Sequence, residues 1–266
     1  MPLKSIEALL ENKIGLSAAA MGAQTVVKAV NRRRCACGLQ DVAAYRACLE
    51  TNKDEWEKLI EEIVVPETWF FRHIQSFQFF SQHVLSELKP CLNKRLRILS
   101  IPCATGEEPY SLAMMLINAG VPCERFQIDA LDISLQALRK ALRGLYSPAS
   151  FRGRDNMPTF QASYFKQIDG SFQLHSEVME TVCFNQGNLL DNNILADQPC
   201  YDIIFCRNLM IYFSASARKR TRAIINRLLK NSGLLFVGHS ERVAFKTPDL
   251  SLIDARGVFA YRKTAI

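Results

Sequence analysis

The stretch Ser100-Ile101-Pro102-Cys103-Ala104-Thr105-Gly106-Glu107-Glu108-Pro109-Tyr110 decides the fold. A β-rich run over 96–103 enters a tight turn of small residues and leaves as a helix with Pro109 in its first turn, where a missing N–H is harmless. Strand, tight turn and helix in that order make one step of an α/β sheet, and such sheets bind ligands beyond the carboxyl ends of their strands. The turn is not G-x-G-x-x-G, and no Gly-Lys-Ser/Thr follows it, so it does not cradle phosphates in the usual way.

Working outward, the same alternation repeats. Further β-rich runs lie at 126–133, 181–187, 201–208 and 234–239, and helical stretches at 107–119, 134–143 and 215–230. Strands alternating with helices predict a mostly parallel sheet with helices on both faces. A last run, 258–263, follows a turn at Gly257 and is expected to return antiparallel at the sheet edge. The first 90 residues read differently. Segments 4–12, 18–34, 40–50 and 54–64 are helical in pattern, punctuated by Gly15, Gly38 and Thr51-Asn52. Lys89-Pro90 with Asn93-Lys94 marks a linker. The expected organisation is an α/β domain over 91–266, with a hairpin insertion near 163–184 turning at Asp169-Gly170, behind a small all-α domain over 1–90.

Composition narrows the classes. The chain has 266 residues, 48% of them hydrophobic and 22% charged, and no run approaches a membrane span. No secretory pattern opens it. The nine cysteines are scattered, with no C-x-x-C, which speaks against a disulfide framework and for a reducing, cytoplasmic setting. Cys35-x-Cys37 has no His pair near it, so no metal site is expected. The net charge of +7 comes wholly from residues 91–266, while two acid-free basic stretches stand out along the chain. One holds Lys13, Lys28, Arg32, Arg33 and Arg34. The other holds Arg207, Arg218, Lys219, Arg220, Arg222, Arg227 and Lys230. Such clusters are either solvated helix faces or surfaces for an acidic partner.

A nucleoside cofactor without phosphates, such as S-adenosylmethionine, suits the first strand end. Glu108 could meet its ammonium group, and Asp132, closing the second strand, stands where an acid hydrogen-bonds ribose hydroxyls.

The chain also resembles the CheR-type chemoreceptor glutamate O-methyltransferases. The resemblance rests on Glu67-Thr68-Trp69-Phe70-Phe71-Arg72, Ala104-Thr105-Gly106-Glu107-Glu108-Pro109-Tyr110, Leu131-Asp132-Ile133-Ser134, Asn188-Leu189-Leu190, Cys206-Arg207-Asn208-Leu209-Met210-Ile211-Tyr212-Phe213 and Gly238-His239-Ser240-Glu241, in the family's order. It implies a Rossmann-like methyltransferase domain behind a helical domain. It implies S-adenosylmethionine as cofactor, S-adenosylhomocysteine as product, and cofactor contacts at Thr68, Arg72, Glu108, Asp132, Asn188, Leu189, Arg207 and Asn208. Arg72 and Tyr212 would stand nearest the transferred methyl. Pro66 departs from the family, which often has Asn there; proline offers neither an N–H nor an amide.

The implied acceptor is a glutamate on the cytoplasmic methylation helices of a methyl-accepting chemoreceptor. Lys28 and Arg32, opposite Val26 and Val30 on a helix, would meet that acidic partner, with Arg33 beside them, while Arg34 falls nearer the apolar side. The short stretch 163–184 suggests recognition without a receptor pentapeptide tether. Nucleic acid and membrane insertion are not expected. Two other functions remain open: a Rossmann methyltransferase acting on RNA or a small molecule, and a cofactor-binding scaffold without catalysis.

Overall fold

A computed structural model describes residues 2–88, 94–152 and 162–264. Of the linker named above, residues 89–93 lie outside the described residues. The chain begins with five helices: α1 (Pro2–Ile14), α2 (Ala18–Met21), α3 (Ala23–Ala36), α4 (Val42–Thr51) and α5 (Lys53–Ile63). The stretch 18–34, expected as one helix, is broken at Gly22, whose φ of 84° no helix can carry. Side chains start the next two helices: Asp41 accepts from the Ala44 N–H and Asn52 from the Glu55 N–H. Ile6, Leu10, Val26, Val30, Tyr45, Leu49, Leu59 and Ile63 close a separate apolar cluster among these helices. Leu190, Phe213 and Ala217 from the second half of the chain complete it.

α6 (Ile74–His83) was not foreseen as a helix. It belongs with the sheet, since Phe77 and Phe80 are fully buried against Phe205 of a central strand. The helical first third therefore divides by packing. α1–α5 form their own cluster, and residues from Phe70 onward join the core of the sheet.

The sheet has seven strands: β1 (Leu96–Ser100), β2 (Phe126–Asp132), β6 (Val182–Gln186), β7 (Tyr201–Cys206), β8 (Leu229–Val237), β9 (Leu250–Leu252) and β10 (Ala260–Lys263). Their order is β6-β2-β1-β7-β8-β10-β9. The first five run parallel, and β10 runs antiparallel to both β8 and β9. β10 was expected at the edge; β9, missed as a strand, covers it there. β1, β2, β7 and the second half of β8 are almost wholly buried, as strands covered on both faces must be. One face packs on α6 and α7 (Glu107–Asn118), the other on Ile224, Ile225 and Leu228 of a long helix. That helix is α10 (Ala215–Leu228). α8 (Leu135–Arg143) follows β2, with Ser134 capping the Ala137 N–H.

A second small sheet, β3-β5-β4, consists of β3 (Leu145–Tyr146), β4 (Phe165–Ile168) and β5 (Ser171–Leu174). Asp169 and Gly170, at φ 46° and 75°, turn β4 into β5, the left-handed pair a two-residue hairpin demands. α9 (Ser176–Met179) leads back to the main sheet. Strand order reverses between β1 and β7, and the crevice beyond their carboxyl ends is where a ligand belongs.

Candidate active site

At that crevice lies a cleft of about 370 Å³. Thr68, Arg72, Glu108, Asp132, Asn188, Leu189, Arg207, Asn208 and Tyr212 all line it. Residues far apart in the chain meet there because each sits at the end of a strand, on the turn or helix start that follows one, or on the 64–73 segment laid across the strand ends. The opposite wall comes from the helical cluster, through Ile14, Leu16, Met21 and Thr25.

Four non-glycine residues at this site hold left-handed backbone: Phe71 (φ 55°), His73 (φ 60°), Ala104 (φ 47°) and Asn208 (φ 60°). Each such residue costs about 1–3 kcal/mol and persists only where its surroundings hold it. The holding bonds are visible. Phe71 N–H donates to Ser111 Oγ at 3.0 Å, and Ala104 N–H to Asp132 Oδ2 at 2.7 Å. Asn208 N–H donates to Glu241 Oε2 at 2.6 Å, and Arg207 Nη2 meets His73 Nδ1 at 2.7 Å. Gly106 starts α7 at φ 93°, where a Cβ would lie 2.8 Å from Ala141 Cβ.

The floor of the cleft is charged. Arg207 Nη1 donates to Glu108 Oε2 at 3.0 Å, and Arg207 Nη2 donates to the Arg72 carbonyl at 2.8 Å. Glu108 also accepts from Ser100 Oγ at 2.8 Å. Burial pushes Glu108 up from its ordinary carboxylate range, against the pull of Arg207. Arg72 donates to the Glu67 carbonyl at 2.9 Å and lies 4.3 Å from the Trp69 ring centre, a cation–π contact. Burial, then the neighbouring Arg207 cation, pulls Arg72 below its usual value. His73 is pushed down to about 4 by burial, with Arg207 and Arg72 opposing a further charge. Asp132 is buried, with Oδ1 accepting from the Ser134 N–H at 2.9 Å, and burial raises it. Asn188 ties the cleft to the helical cluster by donating to the Lys13 carbonyl at 2.6 Å.

These residues suit an S-adenosyl nucleoside. Nε of Arg72 and Nε of Arg207 are buried with no hydrogen-bond partner among the described residues, so two guanidinium groups retain donors for a ligand's oxygens. Glu108 and Asp132 keep free lone pairs for an ammonium group and ribose hydroxyls. Leu131, Ile133 and Leu189 supply an apolar wall for a base. The volume lies within the roughly 300–1,000 Å³ usual for small-ligand clefts.

Residues 66–258 match the family model described as CheR methyltransferase, SAM binding domain. This chain belongs to the CheR methyltransferase family. Among CheR relatives, it is 38% identical over 261 residues to the "Probable biofilm formation methyltransferase WspC" of Pseudomonas aeruginosa, covering 97% of this chain and 61% of that protein. The WspC of Pseudomonas putida is 40% identical, over 87% of this chain and 54% of its own length. The chain thus spans little more than half of these two relatives. The chemotaxis protein methyltransferase of Salmonella typhimurium is 32% identical, over 92% of this chain and 84% of its own length.

Three features of this CheR site were not read as functional from the sequence. Glu241, fully buried, accepts from the N–H groups of Asn208 (2.6 Å), Met210 (2.6 Å) and Gly238 (2.9 Å), and so shapes the loop carrying Asn208 and Tyr212. A Glu three residues after a strand-ending Gly was the available signal. Glu61 of α5 accepts from Ser134 Oγ at 2.6 Å and Gln136 N–H at 3.1 Å, docking the helical cluster on α8. The second basic cluster is a solvated face in part, with Lys219, Arg220 and Arg227 exposed, but four of its arginines also reach backbone carbonyls. Arg218 donates to the Met210 carbonyl, Arg220 to Leu190, Arg222 to Ala244 and Arg227 to Ile194, so α10 holds the loops behind the cleft.

Of the expected partner-binding residues, Lys28 and Arg32 are exposed on α3. Arg33 points inward, donating to both carboxylate oxygens of Glu55 at 2.9 and 2.7 Å. Its guanidinium is committed to the fold, because Glu55 is buried and needs a cation. Arg34 donates to the Leu39 and Gln40 carbonyls and closes the end of α3. Among the described residues no group of His, Cys, Asp and Glu could hold a metal ion, and no helix is long and apolar enough to cross a membrane.

Proposed function

We propose that this protein transfers a methyl group from S-adenosylmethionine to glutamate side chains on the cytoplasmic helices of a methyl-accepting receptor, giving a methyl ester and S-adenosylhomocysteine. The observation that carries this reading is the convergence of the nucleoside-binding loops with Arg72 and Tyr212 in one cleft, walled on its far side by the helical cluster that presents Lys28 and Arg32. Relatives named for chemotaxis and for biofilm formation support the methyltransferase chemistry.

S-adenosylmethionine, when bound, supplies an electrophilic methyl on a sulfonium. The acceptor carboxylate is already ionised near neutral pH, so the chain need supply no general base. Its task is placement, which can be worth up to about 7–11 kcal/mol in well-oriented reactions. Arg72, its Nε unpartnered, orients the acceptor carboxylate. A tight bidentate grip would stabilise the reactant anion and slow the step; stacking on Trp69 and bonding to the Glu67 carbonyl restrain Arg72 from that grip. Tyr212 walls the methyl channel. Its carbonyl accepts from Ser17 N–H at 2.9 Å, which fixes the strap carrying the ring. The buried Arg207–Glu108 pair keeps the floor preorganised and dry.

The test is radiolabel transfer to membranes carrying a methyl-accepting receptor. Base-labile label on receptor glutamates is expected from the wild type, with large losses in Arg72→Ala and smaller ones in Tyr212→Phe at unchanged S-adenosylhomocysteine affinity for the latter. Label on RNA, or cofactor binding without transfer to any acceptor, would overturn the reading.

A further inference from the structure

Gln136, Arg139, Lys140 and Arg143 follow the i, i+3, i+4, i+7 spacing of one helix face, and all four are exposed on α8. Ala137, Leu138 and Ala141 occupy the buried side. The exposed stripe lines an open groove of about 710 Å³, whose other bank is Glu61, Val64 and Pro66. Val64 and Pro66 also line the cofactor cleft, so the groove runs into the reaction site.

We propose that this groove docks an acidic, amphipathic helix, the segment of the receptor that delivers the acceptor glutamate; the inference rests on the function proposed above. Charge argues for the occupant. Arg139, Lys140 and Arg143 stand together, and among the described residues the one carboxylate in the groove, that of Glu61, is engaged by Ser134 and Gln136. Apolar surface argues for a polypeptide over nucleic acid. Leu142 and Leu145 are 59% and 42% exposed at the far end of α8, Val65 is 70% exposed at the near end, and among the described residues no aromatic ring lines the groove for base stacking. Continuity argues for the acceptor itself. Glu62 pairs with Arg32 of α3 while its neighbour Glu61 docks on α8, so the basic faces of α3 and α8 flank the same two residues beside the cleft. A helix lying across both would be held at two places around its reactive glutamate.

The experiment compares wild type, Arg139→Glu/Arg143→Glu and the control Lys219→Glu, which reverses an exposed charge on α10 away from the groove. Initial rates are measured against the concentration of receptor in membranes, and S-adenosylhomocysteine affinity by calorimetry. The double variant is expected to raise KM for receptor about tenfold or more, with kcat within about twofold, unchanged product affinity and a weaker dependence of KM on salt. Lys219→Glu should match wild type. An unmoved KM overturns the docking, as does an equal rise in Lys219→Glu, or loss of labelled-RNA binding in the double variant with receptor KM unchanged. Wild type that fails to label receptor at all overturns the function beneath, which is a different result from wild-type transfer with an indifferent double variant.

Discussion

Arg207 and Glu108 form a buried ion pair at the floor of the cleft, Nη1 to Oε2 at 3.0 Å, with side chains only 2% and 12% exposed. The pair joins the loop after β7 to the first turn of α7, so it spans the switch point of the sheet. Arg207→Met leaves the Glu108 charge buried alone, and such losses run to about 3–5 kcal/mol. Urea denaturation should show that loss at neutral pH. It should shrink as pH is lowered, because Glu108, already raised by burial, then takes up a proton and becomes neutral. Adding Glu108→Gln should recover part of it.

His73 sets a second pH dependence. Its folded value near 4 lies below the ordinary 6.5. Between those values the unfolded chain binds the proton and the folded one does not, so stability is full above pH 6.5 and declines as pH falls towards 4. His83, also lowered by burial, acts in the same direction. The melting temperature should fall between about pH 7 and about pH 5, and His73→Asn should flatten that fall without abolishing it.

Glu241→Gln should injure the site more than the fold. An amide has one acceptor oxygen where the carboxylate uses two to take three N–H groups. At least one buried N–H then faces an NH₂ group, at a cost of about 1–3 kcal/mol. Tyr212 sits two residues beyond one of those bonds, so in steady-state kinetics of the proposed transfer to receptor kcat should drop by more than KM rises.

Arg32 and Arg33 are neighbours with opposite fates. The Arg32–Glu62 pair is exposed, and such pairs contribute roughly 0–1 kcal/mol. Arg32→Glu should therefore leave thermal unfolding and calorimetric product affinity nearly unchanged while weakening the proposed methylation of receptor. Arg33→Glu places a second anion beside buried Glu55, whose value Arg33 and Tyr45 now hold down, and should unfold the helical cluster.

The α/β class was legible because strands buried on both faces, β1, β2, β7 and the second half of β8, are apolar runs that alternate with helices or turns. Runs 126–133 and 201–208 nearly coincide with β2 and β7. β9 was not legible: three residues, with Ser251 and Leu252 exposed, make no periodic pattern. α6 was hidden because its Phe-rich face reads equally as a core strand or a motif, and a left-handed His73 starts it without a capping side chain. Glu108 and Asp132 stand just beyond or at strand ends, where pattern and position agree; Thr68, Arg72, Asn188, Leu189, Arg207, Asn208 and Tyr212, which line the same cleft, were named only through the family resemblance. What a motif does not show is which side chain a charge faces. Arg33 and the α10 arginines look like surface in one dimension, and only packing turns them towards Glu55 and the loop carbonyls.

Between α1 and α2 the chain makes a short antiparallel strap, with Leu16 bridged to Phe213, Ser17 N–H donating to the Tyr212 carbonyl, and Ser214 N–H donating to the Gly15 carbonyl. The family's matched region starts at residue 66 and leaves that strap out. A protein trimmed to the matched region would forfeit the backing of Tyr212 and one whole side of its own reaction chamber. The matched region alone therefore lacks the contacts that brace Tyr212, and a displacement of the leading helices is transmitted to the tyrosine through two peptide groups.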